Sequence, residues 1–545
     1  MFHIDGWYRR ILREKTRFMT LKSRTSNVWR IGKFEQLFRK TRMFSWSLGN
    51  APTSRVFHAV PDYWRGSASL GSRIMTSSTN WHNDSRGFDK FEWVRDLRAF
   101  GGSQARSRAR QLIENWINNN NNWQADSWQP DIMGQRVANL IFCYDWYAPS
   151  APAIFQIKLT RVIALQTRCL ALDWPRLYDR TAQLTALKGL FVGQSALGAK
   201  PNDLVALLDL VLPLIDQLTR ADGGHNSRMP DMHLRLMRDL LEIRNAAFSS
   251  GVETISQLDK KIAQMASICR MWRHANGQFA RFNGAGMMTI EKIDETLSRA
   301  GQRGRVLQQA PYSGFIRFSS GRSTVIMDTG TPQTSAAVTG YGTLAFEFAV
   351  GQNLLVINPG QTATDSNLLR LLCSTKAHST LSIDGQNSSN PRKNRLAKLS
   401  NVEIGPADGG LLAVTTHNGY ESSHGILHHR HLFLATGGGN LRGADILEYT
   451  GAPGEIPRLA TVRFHLHPRV TAAMLRNQRV LLKIRGNRTG WVFRSNAATT
   501  LDNSLFFDGQ NRMNCQQIVV NLALADLRTF SSKTIKWAFT RSDAD

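Results

Sequence analysis

Residues 342–360 read GTLAFEFAVGQNLLVINPG, and the reading of this stretch decides the fold. Leu344, Phe346, Phe348 and Val350 alternate with Thr343, Ala345, Glu347 and Ala349. That period of two predicts a strand with one buried face. Gly351 then supplies a turn before a second apolar run. The flanks are of the same kind: PYSGFIRFSSGRSTVIMDTG at 311–330, with its turn near Gly321, and CSTKAHSTLSIDG at 373–385. Short strands continue to the C-terminus, as in LLAVTTHNGY, ILHHRHLFLAT, TVRFHLHP, VLLKIRG and CQQIVVNLAL. Many strands with no helices between them predict an antiparallel β-sandwich.

The chain before residue 300 has the other period. From Phe88 to about Arg299, segments such as FEWVRDLRAF, SQARSRARQLIENWINN and GQRVANLIFCYDWY space their apolar residues at i, i+3 and i+4. Roughly eight helices are expected, with Gly or Pro at most joins, an arrangement that suits stacked helical hairpins. Residues 50–86 read as an extended connection.

Composition bounds the function. The 545 residues allow two or three domains, and 42% apolar content with 14 Trp argues for packed cores. A net charge of +27 points to an anionic partner: acidic polysaccharide, nucleic acid or anionic membrane. A solvated basic surface explains the same number without any partner. Residues 1–42 hold twelve Lys or Arg against Asp5, Glu14 and Glu35, a net of +9. Trp7, Ile11, Leu12, Phe18, Trp29, Phe34 and Leu37 are interleaved, so this segment is either a pair of core-facing helices or a surface that meets an anionic membrane. No apolar run approaches a spanning helix and no signal-peptide pattern is visible, which leaves a cytoplasmic or a periplasmic location open. The cysteines (Cys143, Cys169, Cys269, Cys373, Cys515) are scattered, without CxxC, and predict neither disulfide framework nor zinc ribbon. GTGYG and GGGNLRG lack the strand-to-helix setting of phosphate loops, and no nucleic-acid module is recognisable.

GTLAFEFAVGQNLLVINPG followed by STKAHSTLSIDG resembles the β-rich half of the heparinase II/III-like polysaccharide lyases; FEWVRDLRAFG, DGGHNSRMP and RFNGAG resemble its helical half. The resemblance implies an α+β multidomain fold, an N-terminal incomplete (α/α) toroid followed by a C-terminal antiparallel β-sandwich. The expected division is 1–86 basic helices and linker, 87–303 toroid, 304–545 sandwich. The implied activity is β-elimination on a uronic-acid polysaccharide such as a glycosaminoglycan or a bacterial envelope glycan. That chemistry needs a base for the C5 proton, a group neutralising the carboxylate and an acid for the leaving oxygen.

Two positions depart from the pattern. The segment of the form DG-x-x-x-E-x-S-P-x-Y-H is represented by residues 222–233, where Ser227 stands for the glutamate and Met232 for the tyrosine, and methionine transfers no proton. The histidine expected before the GTLAFE strand is replaced by Gly340, beside Tyr341. The remaining candidates are Tyr341, His225 and His378 as proton carriers, and Arg228, Asn283 and His233 as substrate-binding groups. Each also has a bland reading, as packing, turn capping or a satisfied structural histidine. A bidentate Arg228 would suit a uronate carboxylate. His424, His428, His429, His431, His465 and His467 raise the question of a structural divalent metal, but no Cys or acidic residue stands at ligand spacing; the expectation is no cofactor.

Overall fold

The Gly351 hairpin forms in the computed structural model, with Phe346–Val350 and Asn353–Ile357 antiparallel around Gly351 at φ +56°. The structure describes residues 31–49, 56, 60–77, 85–120, 122–253, 255–301, 304, 306–333, 340–361, 366–452, 454–487, 489–509, 511–525 and 527–542. Most of the basic 1–42 segment, including Trp7, Ile11, Leu12, Phe18 and Trp29, lies outside them.

Among the described residues the strands are β1 (Gln309–Ala310), β2 (Phe315–Ser320), β3 (Ser323–Asp328), β4 (Phe346–Val350), β5 (Asn353–Ile357), β6 (Leu381–Ile383), β7 (Leu399–Ala407), β8 (Gly410–Tyr420), β9 (Ile426–Ala435), β10 (Asn440–Tyr449), β11 (Leu459–Leu466), β12 (Val470–Met474), β13 (Val480–Ile484), β14 (Gly490–Ser495), β15 (Ala498–Asp508), β16 (Asn511–Ala523) and β17 (Ser532–Ser542). They form two sheets. One runs β1-β2-β3-β4-β5-β11-β16-β15, with β6 also on β11; the other runs β12-β13-β14-β17-β10-β9-β8-β7. Every pairing is antiparallel. This is the expected sandwich, and the helices precede it as expected.

The two sheets share one core. Phe346 of β4 stacks on Trp537 of β17 at 5.6 Å between ring centroids, and Phe464 of β11 meets the same indole edge-on at 4.7 Å. Trp537 fits because β10 has Gly443 opposite: a Cβ there would lie 2.0 Å from the indole. Aromatic pairs of this kind add about 0.5–1.5 kcal/mol each beyond the area they bury.

A polar chain also crosses this core. Arg430 of β9 donates to the Asp445 carboxylate on β10 (2.7 Å) and to the carbonyls of Leu344 and Ser379 in the facing layer (2.8 and 3.1 Å). Trp537 Nε1 donates to the other Asp445 oxygen (2.9 Å). Arg430 Nε and Nη1 and both Asp445 oxygens thus find partners, which offsets much of the cost of burying the ion pair.

Two expectations need correction. Residues 343–349 are buried on both faces, not one, because Glu347 turns to His274 of the helical exit (2.8 Å). Leu344 also sits at φ +60°, so the strand proper begins at Phe346. The supposed extended connection holds a helix, Ala68–Thr76, capped by Ser67 Oγ on the Leu70 N–H (3.3 Å). Gly71 lets it approach Trp93–Phe100: a Cβ there would meet the Asp96 carbonyl at 2.3 Å.

By compactness the chain divides into Met1–Val56 with Gly66–Gly193, and Phe57–Arg65 with Gln194–Asp545. The first unit holds Trp93–Phe100, Gly102–Asn119, Pro130–Phe142 and Ala153–Asp173, among others. There Arg136 is fully buried 4.2 Å over the Trp116 ring, with Nε donating to Gln166 (3.0 Å). The second unit joins the helices Pro201–Leu218, Pro230–Ser249, Ser256–Trp272 and Ile290–Arg299 to the sandwich. The proline at the first position of Pro130–Phe142, Pro201–Leu218 and Pro230–Ser249 fits the helix start, where its missing N–H costs nothing. No helix among the described residues is long and apolar enough to cross a membrane.

Candidate functional site

His225 and Arg228 lie in a tight loop between Pro201–Leu218 and Pro230–Ser249, closed by a bridge between Thr219 and His225, and Met232 stands in the first turn of the second helix. The Asp222 carboxylate accepts from the N–H and hydroxyl of Ser313, at 2.7 and 2.5 Å. Glycine is required at 224, where a Cβ would fall 1.9 Å from the Ser313 hydroxyl.

Arg228 has left-handed backbone (φ +59°), and its guanidinium is spent inside the protein. Nε donates to the Ser313 carbonyl (2.8 Å), Nη2 to the Gly314 carbonyl (3.1 Å) and to the Asp328 carboxylate, and Nη1 to the Thr331 carbonyl (3.2 Å). Its plane lies 5.0 Å from the Phe315 ring centroid. Gly330 leaves the space: a Cβ there would sit 2.3 Å from Arg228 Cζ. Asp328, at the end of β3, also accepts from the Gly330 N–H (2.9 Å) and from Asn283 Nδ2 (3.0 Å). Asn283, again left-handed (φ +57°), donates to the Arg228 carbonyl as well (3.2 Å). The groups expected to neutralise a substrate carboxylate therefore neutralise one of the protein's own.

His233 is completely buried, accepts the His225 N–H at Nδ1 (3.1 Å) and donates from Nε2 to the Met265 carbonyl (2.9 Å). Burial pushes it down to about 3, so it stays neutral. With both ring nitrogens committed, it packs against Trp272 rather than facing a ligand. His225 accepts from the Ser227 N–H at Nδ1 (3.0 Å), with the Ser227 hydroxyl at 2.7 Å.

His378 is the remaining proton acceptor. Its Nδ1 donates to the Ser374 carbonyl (2.8 Å), which leaves Nε2 with its lone pair. Burial first of all holds its pKa below the usual range. A Cβ on Gly340 would lie 3.0 Å from that Nε2 and 3.2 Å from Asn283 Cα; one on Gly342 would meet the ring at 2.6 Å. The position where a second histidine was expected is thus filled by His378 itself. Tyr341 is half-buried and anchored by its backbone: its N–H donates to the Cys373 carbonyl (2.8 Å), and its carbonyl accepts from Thr375 and Ser388 (2.6 and 3.2 Å). The structure brings Arg228, Asn283, Gly340 and His378 together around Asp328, and turns His233 away. Asp328 was missed in the sequence; the only signal was an Asp closing the strand before Gly330.

The chain matches the family described as Heparinase II/III-like, C-terminal over residues 302–538. Those residues are a heparinase II/III-like domain. The resemblance read from 342–385 is therefore shown. Heparan sulfate lyase HepC from Pedobacter heparinus superposes with a TM-score of 0.61 at 12% identity, covering 92% of this chain and 87% of that one. A structure of heparinase III gives 0.63 at 14% identity, with 92% and 88% covered. Identities this low carry the fold alone. FtsZ-localized protein C of Caulobacter vibrioides is 29% identical over 479 residues, 83% of this chain and 81% of that protein.

Within the heparinase II/III-like domain the clustered histidines are bonded to protein. The Gly419 N–H donates to His417 Nδ1 (3.0 Å), His417 Nε2 donates to His428 Nδ1 (2.9 Å), and His428 Nε2 donates to Asp445 (2.8 Å). Each tautomer follows from its neighbour, and both imidazoles are buried and held below their usual pKa. His465 lies between Ser504 and the Lys376 carbonyl and falls to about 3. His429 pairs with Glu448 at 2.8 Å and His424 Nδ1 meets Ser423 at 2.8 Å. Among the described residues no group of three or more His, Cys, Asp or Glu is arranged to hold a metal ion.

These histidines set an acid limit. A histidine whose folded pKa lies below its unfolded one is neutral in the fold, while the unfolded chain takes up a proton below about pH 6.5. Stability is therefore lost as pH falls through that value toward the folded pKa. For His233 and His465, both at about 3, the loss is up to about 1.4 kcal/mol per pH unit each. Thermal unfolding followed between pH 7.5 and 5.5 is expected to show a falling Tm, less steep in His233→Gln. A Tm unchanged over that interval contradicts the assignment.

Proposed function

We propose that this chain binds an acidic polysaccharide on a lyase fold without cleaving it by β-elimination. The observation that carries the reading is the packing at Gly340: a side chain there would press on His378 and Asn283, so no second proton carrier stands beside His378 at that position. Met232 at the tyrosine position supports it, as does the engagement of Arg228 with Asp328. The net charge of +27 supports an anionic polymer as ligand. Lyase activity survives as an alternative only through His378 as base and Tyr341 as acid.

A second reading has its own observation. The helix Lys33–Arg39 is fixed to its unit by Arg39, which donates to both oxygens of the buried Asp173 (2.6 and 2.7 Å). Its outer side and that of Arg42–Ser47 present Phe34 and Trp46, 86% and 76% exposed, beside exposed Lys33, Lys40 and Arg42. Exposed aromatics among cations fit the interface of an anionic membrane. The name of the Caulobacter relative adds FtsZ as a protein partner to test in the same setting.

For the first reading, the full chain is incubated with heparan sulfate, hyaluronan and alginate while absorbance near 232 nm and binding are followed together. Retained binding with a flat trace is expected; a rise abolished by His378→Ala or Tyr341→Phe makes the chain a lyase. For the second, flotation with vesicles containing anionic lipid is expected to carry the chain. Phe34→Ser/Trp46→Ser is expected to cut the floated fraction at least fivefold. Equal flotation of both proteins contradicts it.

A further inference from the structure

β3, which ends at the Asp328 cluster, begins at a second site, and its antiparallel neighbour β4 ends there. In the register of β3 and β4, Met327 faces Phe346 at one end and Ser323 faces Val350 at the other. Arg322 and Gly351 stand just past that other end, about 20 Å from Asp328 at 3.3 Å per residue. There the β2–β3 turn, the β4–β5 turn, the loop after β11 and the segment Asn276–Gln278 enclose a cavity of about 610 Å³. That size suits a few sugar rings.

The lining has a definite chemistry. Arg322 makes no side-chain hydrogen bond or ion pair among the described residues. Its guanidinium rests on the β4–β5 turn because residue 351 is glycine at φ +56°, where a Cβ would lie 2.8 Å from Nη2. Arg469 spends one donor, Nη2 on the Arg485 carbonyl (3.1 Å), and keeps the rest. Its backbone N–H is accepted by His467 Nδ1 (3.2 Å), which leaves His467 Nε2 as a donor. Gln352 and Asn353 bring amides that give and accept hydrogen bonds with hydroxyls, and Leu354 supplies an apolar patch for a sugar face. His467 is held down to about 4, by burial first and then by Arg281 and Arg469, so the local field is positive even with a neutral imidazole.

We propose that this cavity is a binding site for a sulfated or carboxylated oligosaccharide segment, separate from the Asp328 cluster. The two guanidiniums take the anionic groups, the amides take hydroxyls, and the acid chemistry of elimination plays no part. Nothing in this assignment depends on whether the Asp328 cluster binds or cleaves a glycan.

The test uses the full chain with a heparin-derived tetrasaccharide and a tetragalacturonate, against uncharged chitotetraose and inorganic sulfate at matched ionic strength. Amide hydrogen exchange and calorimetric affinity are measured on the wild type and on Arg322→Gln/Arg469→Gln, both exposed positions at which folding is expected to be kept. At least one of the two acidic tetrasaccharides is expected to slow exchange over 351–354 and 467–469, and the double variant to lose that protection with at least a tenfold fall in affinity. Protection confined to 340–345 and 374–380, affinity equal in the two proteins, or sulfate or chitotetraose binding as tightly as the acidic tetrasaccharides, each overturns the proposal. An absence of exchange protection at 351–354 and 467–469 in the wild type overturns it as well.

Discussion

A buried arginine–aspartate pair governs the second unit. Arg228 comes from a loop between helices and Asp328 from the end of a strand one hundred residues later, and both are almost wholly buried. Charges removed from water at that depth are stable only if every donor and acceptor is met. The surroundings meet them with the carbonyls of Ser313, Gly314 and Thr331, the Gly330 N–H and the Asn283 amide. Glycines at 224 and 330 clear the space that this requires. The helices after residue 194 consequently belong with the sandwich, and a cation that could have met a substrate carboxylate is committed to the fold.

The two ends of β3 and β4 divide the chemistry of the domain. At one end an ion pair, an asparagine and a histidine are closed on one another. At the other, guanidinium and amide groups remain open to solvent. Between them Glu347 accepts from the Arg281 and Asn358 N–H groups (2.9 and 3.2 Å) and meets His274, holding the helical exit against the sheet.

Much of this was legible in the sequence. Period-two runs located the strands, Gly351 the hairpin, and i, i+3/i+4 spacing the helices, because these patterns record which face is buried. Met232 and Gly340 stood out because the resemblance implies a tyrosine and a histidine at those positions. What the sequence could not show was pairing at a distance. Arg228 and Asn283 have the right chemistry for a uronate, but only the fold reveals Asp328 as their partner. His233 likewise looked available until helix packing enclosed it between a backbone N–H and a carbonyl. The helix Ala68–Thr76 was lost among Ser, Gly and Pro residues, since its stability rests on a cap and a close approach at Gly71 rather than on a long apolar stripe. Arg322 and Arg469, 147 residues apart, carried no local signal at all.

Arg228 serves the fold and not a ligand, and a double-mutant cycle with Asp328 decides this. Arg228→Met and Asp328→Leu are each expected to destabilise by about 3–5 kcal/mol, because each leaves the other charge buried and unpaired. The double variant is expected to recover at least about 2 kcal/mol of the summed loss, with acidic-glycan affinity close to that of the wild type. Single variants of near-normal stability, with glycan binding abolished by Arg228→Met, would show that the guanidinium belongs to the ligand and contradict the account.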